Sequence, residues 1–178
     1  MSDKPLEYDT DGHVLFRQDA DDVEDYRFVW ASYLQGQAIS SSVFEAEGSA
    51  VTIGDGTNGA DAPSYTNKSD HNARANSTYY AKGAGMVPVV DNGFSYENMR
   101  AGFSAASAPA SSTFATIEGE TFQDGDCLWK CWRNFCYSTV WVVGSTSSTG
   151  LVTNRVYGNS PLKKDRSMRI KITPAKGV

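Results

Sequence analysis

Histidine is scarce: the 178 residues hold only His13 and His71, and neither sits in a recognisable site motif. A serine triad needs a histidine base oriented by an acid, and neither histidine has the G-x-S-x-G context, so a hydrolase of that kind is not expected. Long apolar runs are missing too. No stretch approaches the ~18 residues that a spanning helix needs, so no membrane contact is expected. The opening MSDKPLEYDTDGH has no apolar segment of the signal-peptide type, which points to synthesis and folding in a cytoplasm. Excess positive charge is absent: net charge is −5 and the isoelectric point is about 5.0. A nucleic-acid binder would need a basic stripe to neutralise phosphates, so no nucleic-acid partner is expected. The one basic cluster, Lys163, Lys164, Arg166, Arg169 and Lys171, reads as a solvated turn and strand face.

Ligand-binding motifs fail on spacing. Asp9-Thr10-Asp11-Gly12 resembles the start of a calcium loop. The sixth and twelfth positions should be glycine and a carboxylate but are Val14 and Ala20. Gly54, Gly56 and Gly59 match the glycines of G-x-G-x-x-G, yet Pro63 opposes the helix on which phosphate binding depends. Three cysteines, Cys127, Cys131 and Cys136, lie within ten residues with no nearby histidine, which makes a poor zinc site. Buried thiols are the plain reading. The sharper one is an interchain disulfide drawing on Cys127, Cys131 or Cys136, since an odd count leaves one unpaired. The carboxylate candidates Glu118, Glu120, Asp124 and Asp126 read as a turn, and Asp19–Asp25, with five acids in seven residues, reads as a charged turn leading into a strand. No catalytic residue, metal or cofactor is expected.

What the chain does have is β-rich. Thr139–Val143, Leu151–Tyr157 and Ser167–Ile172 are rich in β-branched and aromatic residues, and Gly, Ser, Asn and Pro fill the gaps. They predict a three-stranded meander. Tyr26, Phe28 and Trp30 alternate on one face of a half-buried strand, and Ile39–Ala46 is a second strand. Residues 1–18 read as an arm. Residues 19–47 and 137–174 read together as one β-sandwich domain. Residues 48–136, rich in Gly, Ala, Ser, Asn and Thr, read as an insertion of loops and short strands. The expected core is Tyr26, Phe28, Trp30, Trp141, Val152 and Ile170. Trp129, Lys130, Trp132, Arg133 and Phe135 have the composition of an interface anchor.

Two ends of the chain carry a resemblance. Asp25, Tyr26, Phe28 and Trp30 form D-Y-x-F-x-W, followed by Leu34, Gly36, Ile39, Ser40 and Ser41. Later come Val140-Trp141-Val142 before Gly144, then Val152-Thr153-Asn154-Arg155-Val156, then Ser167, Arg169, Ile170 and Ile172. In that order the parts resemble the phage fibre–tail adaptor family, immunoglobulin-like virion proteins of tailed bacteriophages. The resemblance implies an all-β, immunoglobulin-like antiparallel sandwich, split here by a middle much longer than the family's usual link. It implies a non-enzymatic structural protein of the virion, made in the host cytoplasm, that bridges neighbouring virion proteins at the neck, collar or fibre-attachment region. Its partners would be other virion proteins and further copies of itself in a symmetric ring or lattice. Capsid decoration and a receptor- or carbohydrate-binding module of a fibre are the alternatives.

Overall fold

The structure is a computed structural model. It describes residues 7–8, 13–20, 22–57, 59–145, 147–158 and 161–174. Asp9–Gly12, the calcium-loop fragment, and most of the expected arm lie outside the described residues. In chain order the strands are β1 Glu7–Tyr8, β2 Val14–Asp19, β3 Val23–Val29, β4 Ile39–Glu47, β5 Val51–Ile53, β6 Ser64–Thr66, β7 Tyr79–Tyr80 and β8 Gly85–Met86. They continue with β9 Ser95–Arg100, β10 Gly102–Phe103, β11 Thr121–Asp124, β12 Cys127–Trp132, β13 Tyr137–Gly144, β14 Thr149–Gly158 and β15 Lys163–Thr173. The protein is all-β, and the only helical segments among the described residues are short 3₁₀ turns.

The chain divides into two compact units. Unit 1 comprises residues 1–28, 39–65 and 138–178; unit 2 comprises 29–38 and 66–137. Unit 1 has a five-stranded sheet in the order β1-β2-β15-β14-β4 and a second sheet, β3-β13-β5, with β6 also paired to β13. Inner-face side chains join the two. Gln18 donates to the Val142 carbonyl at 2.9 Å, Phe16 meets Tyr26 edge-on at 5.0 Å, and Phe28 meets Phe44 at 5.8 Å. Buried Ser138 donates to Asn154 at 2.6 Å, and Asn154 donates onward to Ser42 and the Val43 carbonyl. A buried amide with its donors and acceptors satisfied fixes strand register instead of weakening the core.

Several expectations change here. The three C-terminal strands exist, but they are no meander: β14 and β15 form an antiparallel hairpin, while β13 belongs to the other sheet. The serine-rich link after Gly144 crosses between sheets, which alternation within a strand does not encode. Val14–Asp19 is not arm; it zips in parallel onto Met168–Thr173. Trp141 is half-buried, because Val140 and Val142 take the inward parity of β13. Trp30 is fully buried, but it falls just past β3 and within unit 2, where its N–H donates to the Cys136 carbonyl. Tyr26, Phe28, Val152 and Ile170 are buried as expected.

The middle consists of short strands joined by loops, and its strands pair into sheets. Unit 2 holds a four-stranded sheet, β11-β12-β9-β8, and a two-stranded ribbon, β10-β7. Residues 48–65 belong to unit 1 instead. The inward residues of β12, Cys127, Trp129 and Cys131, pack with Met86, Tyr96 and Phe122 into a closed core. Asp124 and Cys127 pair across a two-residue turn in which Gly125 has φ +62°. A β-carbon there would sit 2.5 Å from the Phe103 carbonyl oxygen, so glycine is required at this first turn position.

Candidate interaction surface

Period-two alternation sorts the aromatic stretch 128–137. On β12, Trp129 points into the core and is fully buried, whereas Leu128, Lys130 and Trp132 lie on the opposite, half-buried face. The expected anchor set is thus divided. Trp129 and Phe135 are 0 % exposed and serve packing; Lys130, Trp132 and exposed Arg133 remain outside.

The outer face is organised around Trp132. Its indole N–H donates to the Glu97 carboxylate at 3.1 Å, and the Lys130 ammonium lies 4.5 Å from its ring centre. Trp132 also stacks near-parallel on Phe135, with ring centres 6.4 Å apart. Lys130 faces Glu97 directly across the β12–β9 ladder. Met99, further along β9, is 36 % exposed. Arg133 lies 5.9 Å from the Phe94 ring. An indole held by a carboxylate, a cation and an aromatic neighbour loses little side-chain freedom when a partner covers it, which suits an anchor.

Unit 2 also carries a groove of about 580 Å³ whose walls include Lys68, His71, Val89, Asp91 and Asn134. His71 lies against Phe135 at 5.3 Å and Tyr137 at 6.4 Å. Gly85 lies so close to the imidazole that a β-carbon would sit 2.5 Å from it. Lys68 pairs with Asp91 at 3.2 Å, and the Gly93 N–H together with Lys68 holds the Asp91 carboxyl below its ordinary range. Of the clustered carboxylates, Asp124 is buried against Arg74, at 2.8 and 2.9 Å, and accepts the Ala105 N–H at 3.0 Å. Both its oxygens are committed to structure. Glu118, Glu120 and Asp126 are exposed.

The three cysteines are free and buried. Their burial opposes the expected interchain disulfide, because a bridge between copies requires an accessible sulfur. Desolvation pushes the Cys131 thiol up to about 11 and Cys136 up to about 12, and it raises Cys127 as well. Iodoacetamide is therefore expected to leave all three unmodified in the native chain and to label them in urea, as mass spectrometry would read. Rapid native labelling, or a reductant-sensitive dimer on a gel, would contradict this.

The same shifts give stability a pH dependence. Thiols of the unfolded chain titrate near ~8.5, so above that pH the folded chain binds more protons than the unfolded one. The thiol contribution to stability is level below about pH 8.5 and falls as pH rises toward the folded-state values of about 11 and 12. Burial raises the Tyr26 phenol too, which extends the same trend. Urea midpoints taken from pH 8 to 11 should drop, and a variant with all three cysteines changed to alanine should drop less steeply from its own starting value. Equal slopes for both proteins would refute the thiol contribution.

Of the residues on this outer face, the sequence alone singles out Lys130, Trp132 and Arg133 but not Leu128, Glu97 or Met99, although the alternation of C-L-W-K-C-W already sorts Leu128 with Lys130 and Trp132. Glu97 and Met99 come from a strand that the sequence reading left unassigned. Compared with protein-family models, curated proteins and solved structures, the chain finds no match.

Proposed function

We propose that this chain is a non-enzymatic structural protein of a tailed-phage virion that bridges neighbouring virion proteins, at the neck, collar or fibre-attachment region. Unit 1 is the immunoglobulin-like sandwich scaffold, and unit 2 presents the contact surface. One observation carries the reading: Trp132, Lys130 and Leu128 lie on the outer face of a sheet whose inner face already closes a core. The tryptophan is presented to a partner while packing of the unit is served by Trp129. Facing sheets in unit 1, with serine- and glycine-rich links between them, support the sandwich assignment.

The test is quantitative mass spectrometry of purified particles together with gold labelling of the tagged chain. A few copies at the head–tail junction are expected; labelling spread over the head would turn the reading to capsid decoration. Absence from purified particles would end it. Within particles, Trp132→Ala should reduce incorporation at least about tenfold, as for an interface anchor, while circular dichroism of the isolated chain stays unchanged.

A further inference from the structure

The outer face of the five-stranded sheet in unit 1 carries opposite charges on opposite sides of one strand. Val152, Asn154 and Val156 of β14 are fully buried, so Leu151, Thr153, Arg155 and Tyr157 point outward. Pairing registers place Arg169 opposite Leu151 on one side and Glu47 opposite Leu151 on the other. One row across the face therefore reads Arg169, Leu151, Glu47. The next reads Ser167, Thr153, Glu45. Lys171 and Arg17, both exposed, extend the basic side, where Asp19 is held by the Thr173 hydroxyl at 2.7 Å. Exposed Glu45 and Glu47 form the acidic side, along the open edge of the sheet.

We infer that this face docks on the same face of a second copy, about a two-fold axis running along β14. Such an axis exchanges the two sides of the strand while keeping each row in place. Leu151 then meets its own counterpart, Arg169 of each copy meets Glu47 of the other, and Lys171 lies beside the same carboxylate. Arg169 and Glu47 sit one strand spacing to either side of β14, roughly 10 Å apart, so both contacts form together. A self-complementary patch of this kind is what a two-fold interface requires.

Arg155 falls on the axis, but it is already held by Asp165 at 3.0 Å and by Glu45 at 3.7 Å, which offsets its meeting with its counterpart. Exposed apolar surface is available on the same face: Val43 is 44 % and Tyr157 36 % exposed. Four strands spaced ~4.8 Å apart over ten residues present about 500 Å² per copy. Two copies thus bury about 1,000 Å² together, the lower bound for a specific complex. Self-docking through unit 1 and capture of another protein through unit 2 use separate faces, so either can fail without the other.

The experiment is a charge swap read by sedimentation of the full chain at low salt. The wild type should sediment as a dimer that weakens as salt rises, since screening shortens from ~10 Å at 0.1 M to ~3 Å at 1 M. Glu45→Lys with Glu47→Lys, and separately Arg169→Glu with Lys171→Glu, should each weaken the dimer at least about tenfold. Mixed in equal amounts, the two variants should dimerise again. Circular dichroism verifies their folding; if the second variant fails to fold, Arg17→Glu with Lys171→Glu replaces it. A monomeric wild type, a dimer untouched by either reversal, or no recovery on mixing would each overturn the inference.

Discussion

Asp124→Ala should destabilise unit 2 by about 3–5 kcal/mol, the range for breaking a buried ion pair from one side. Arg74 is 4 % exposed and Asp124 2 % exposed. Without the carboxylate, the guanidinium keeps the Asn76 side chain and the carbonyls of Ala105 and Ser107, but its charge has no counter-ion in that pocket. The Ala105 N–H also loses its acceptor. Urea denaturation followed by tryptophan fluorescence reads the loss, since Trp129 and Trp132 both lie in unit 2. Replacing both partners, Arg74→Met with Asp124→Leu, should cost less than the single change, because no uncompensated charge remains. A double variant as unstable as the sum of the single ones would show that the pair contributes through geometry alone.

Trp129→Ala should cost a similar ~3–5 kcal/mol by opening a cavity in the core of unit 2. The side chain is fully buried and meets Tyr80 edge-on at 5.0 Å. Its indole N–H has no acceptor among the described residues. That donor is buried at a cost, so Trp129→Phe, which deletes it along with some volume, should lose clearly less than the alanine variant. The contrast with Trp132→Ala is the sharper check, because that residue lies on the half-buried outer face and its loss should lower the urea midpoint clearly less than loss of Trp129. If the two alanine variants were equally unstable, the division of β12 into a core side and a presenting side would be wrong.

What could be read from the sequence follows from what period two records. In the final third, strand positions came out within a few residues, because β-branched runs and glycine-serine gaps are local signals. Sheet membership did not, since nothing local says whether Ser145–Ser148 turns a hairpin or crosses to a second sheet. Parity failed at Trp141 for a similar reason: Thr139–Val143 has bulky residues at both parities. The inward side is marked instead by small or polar Ser138 and Gly144, one bound to Asn154 and the other close against Asp19 and Ile172. In the middle, the core of unit 2 was masked because it draws on cysteines and scattered aromatics and contains no aliphatic run. Of the candidate surface, β12 was legible and β9 was not, because S-Y-E-N-M-R has no β-branched residue and a single aromatic, although the turn signal Asn92-Gly93 stands just before it.

The parallel zipper of β2 on β15 sets an order on folding. Val14 and its partner Met168 are 168 − 14 = 154 residues apart, and Glu47 and Leu151 are 151 − 47 = 104 apart. Pairings of such separation close slowly and late. At ~5–20 residues per second of synthesis, β4 waits roughly 5–20 s for β14 to be made. The unit 2 segments are complete by Tyr137 and can form their sheet in that interval. A nine-residue strand without its partner is an aggregation hazard, and Glu45 and Glu47 place two negative charges at its end, where like-charged copies repel before folding is complete. One of these guarding carboxylates, Glu47, is then the group that the proposed dimer would set against Arg169 of a second copy.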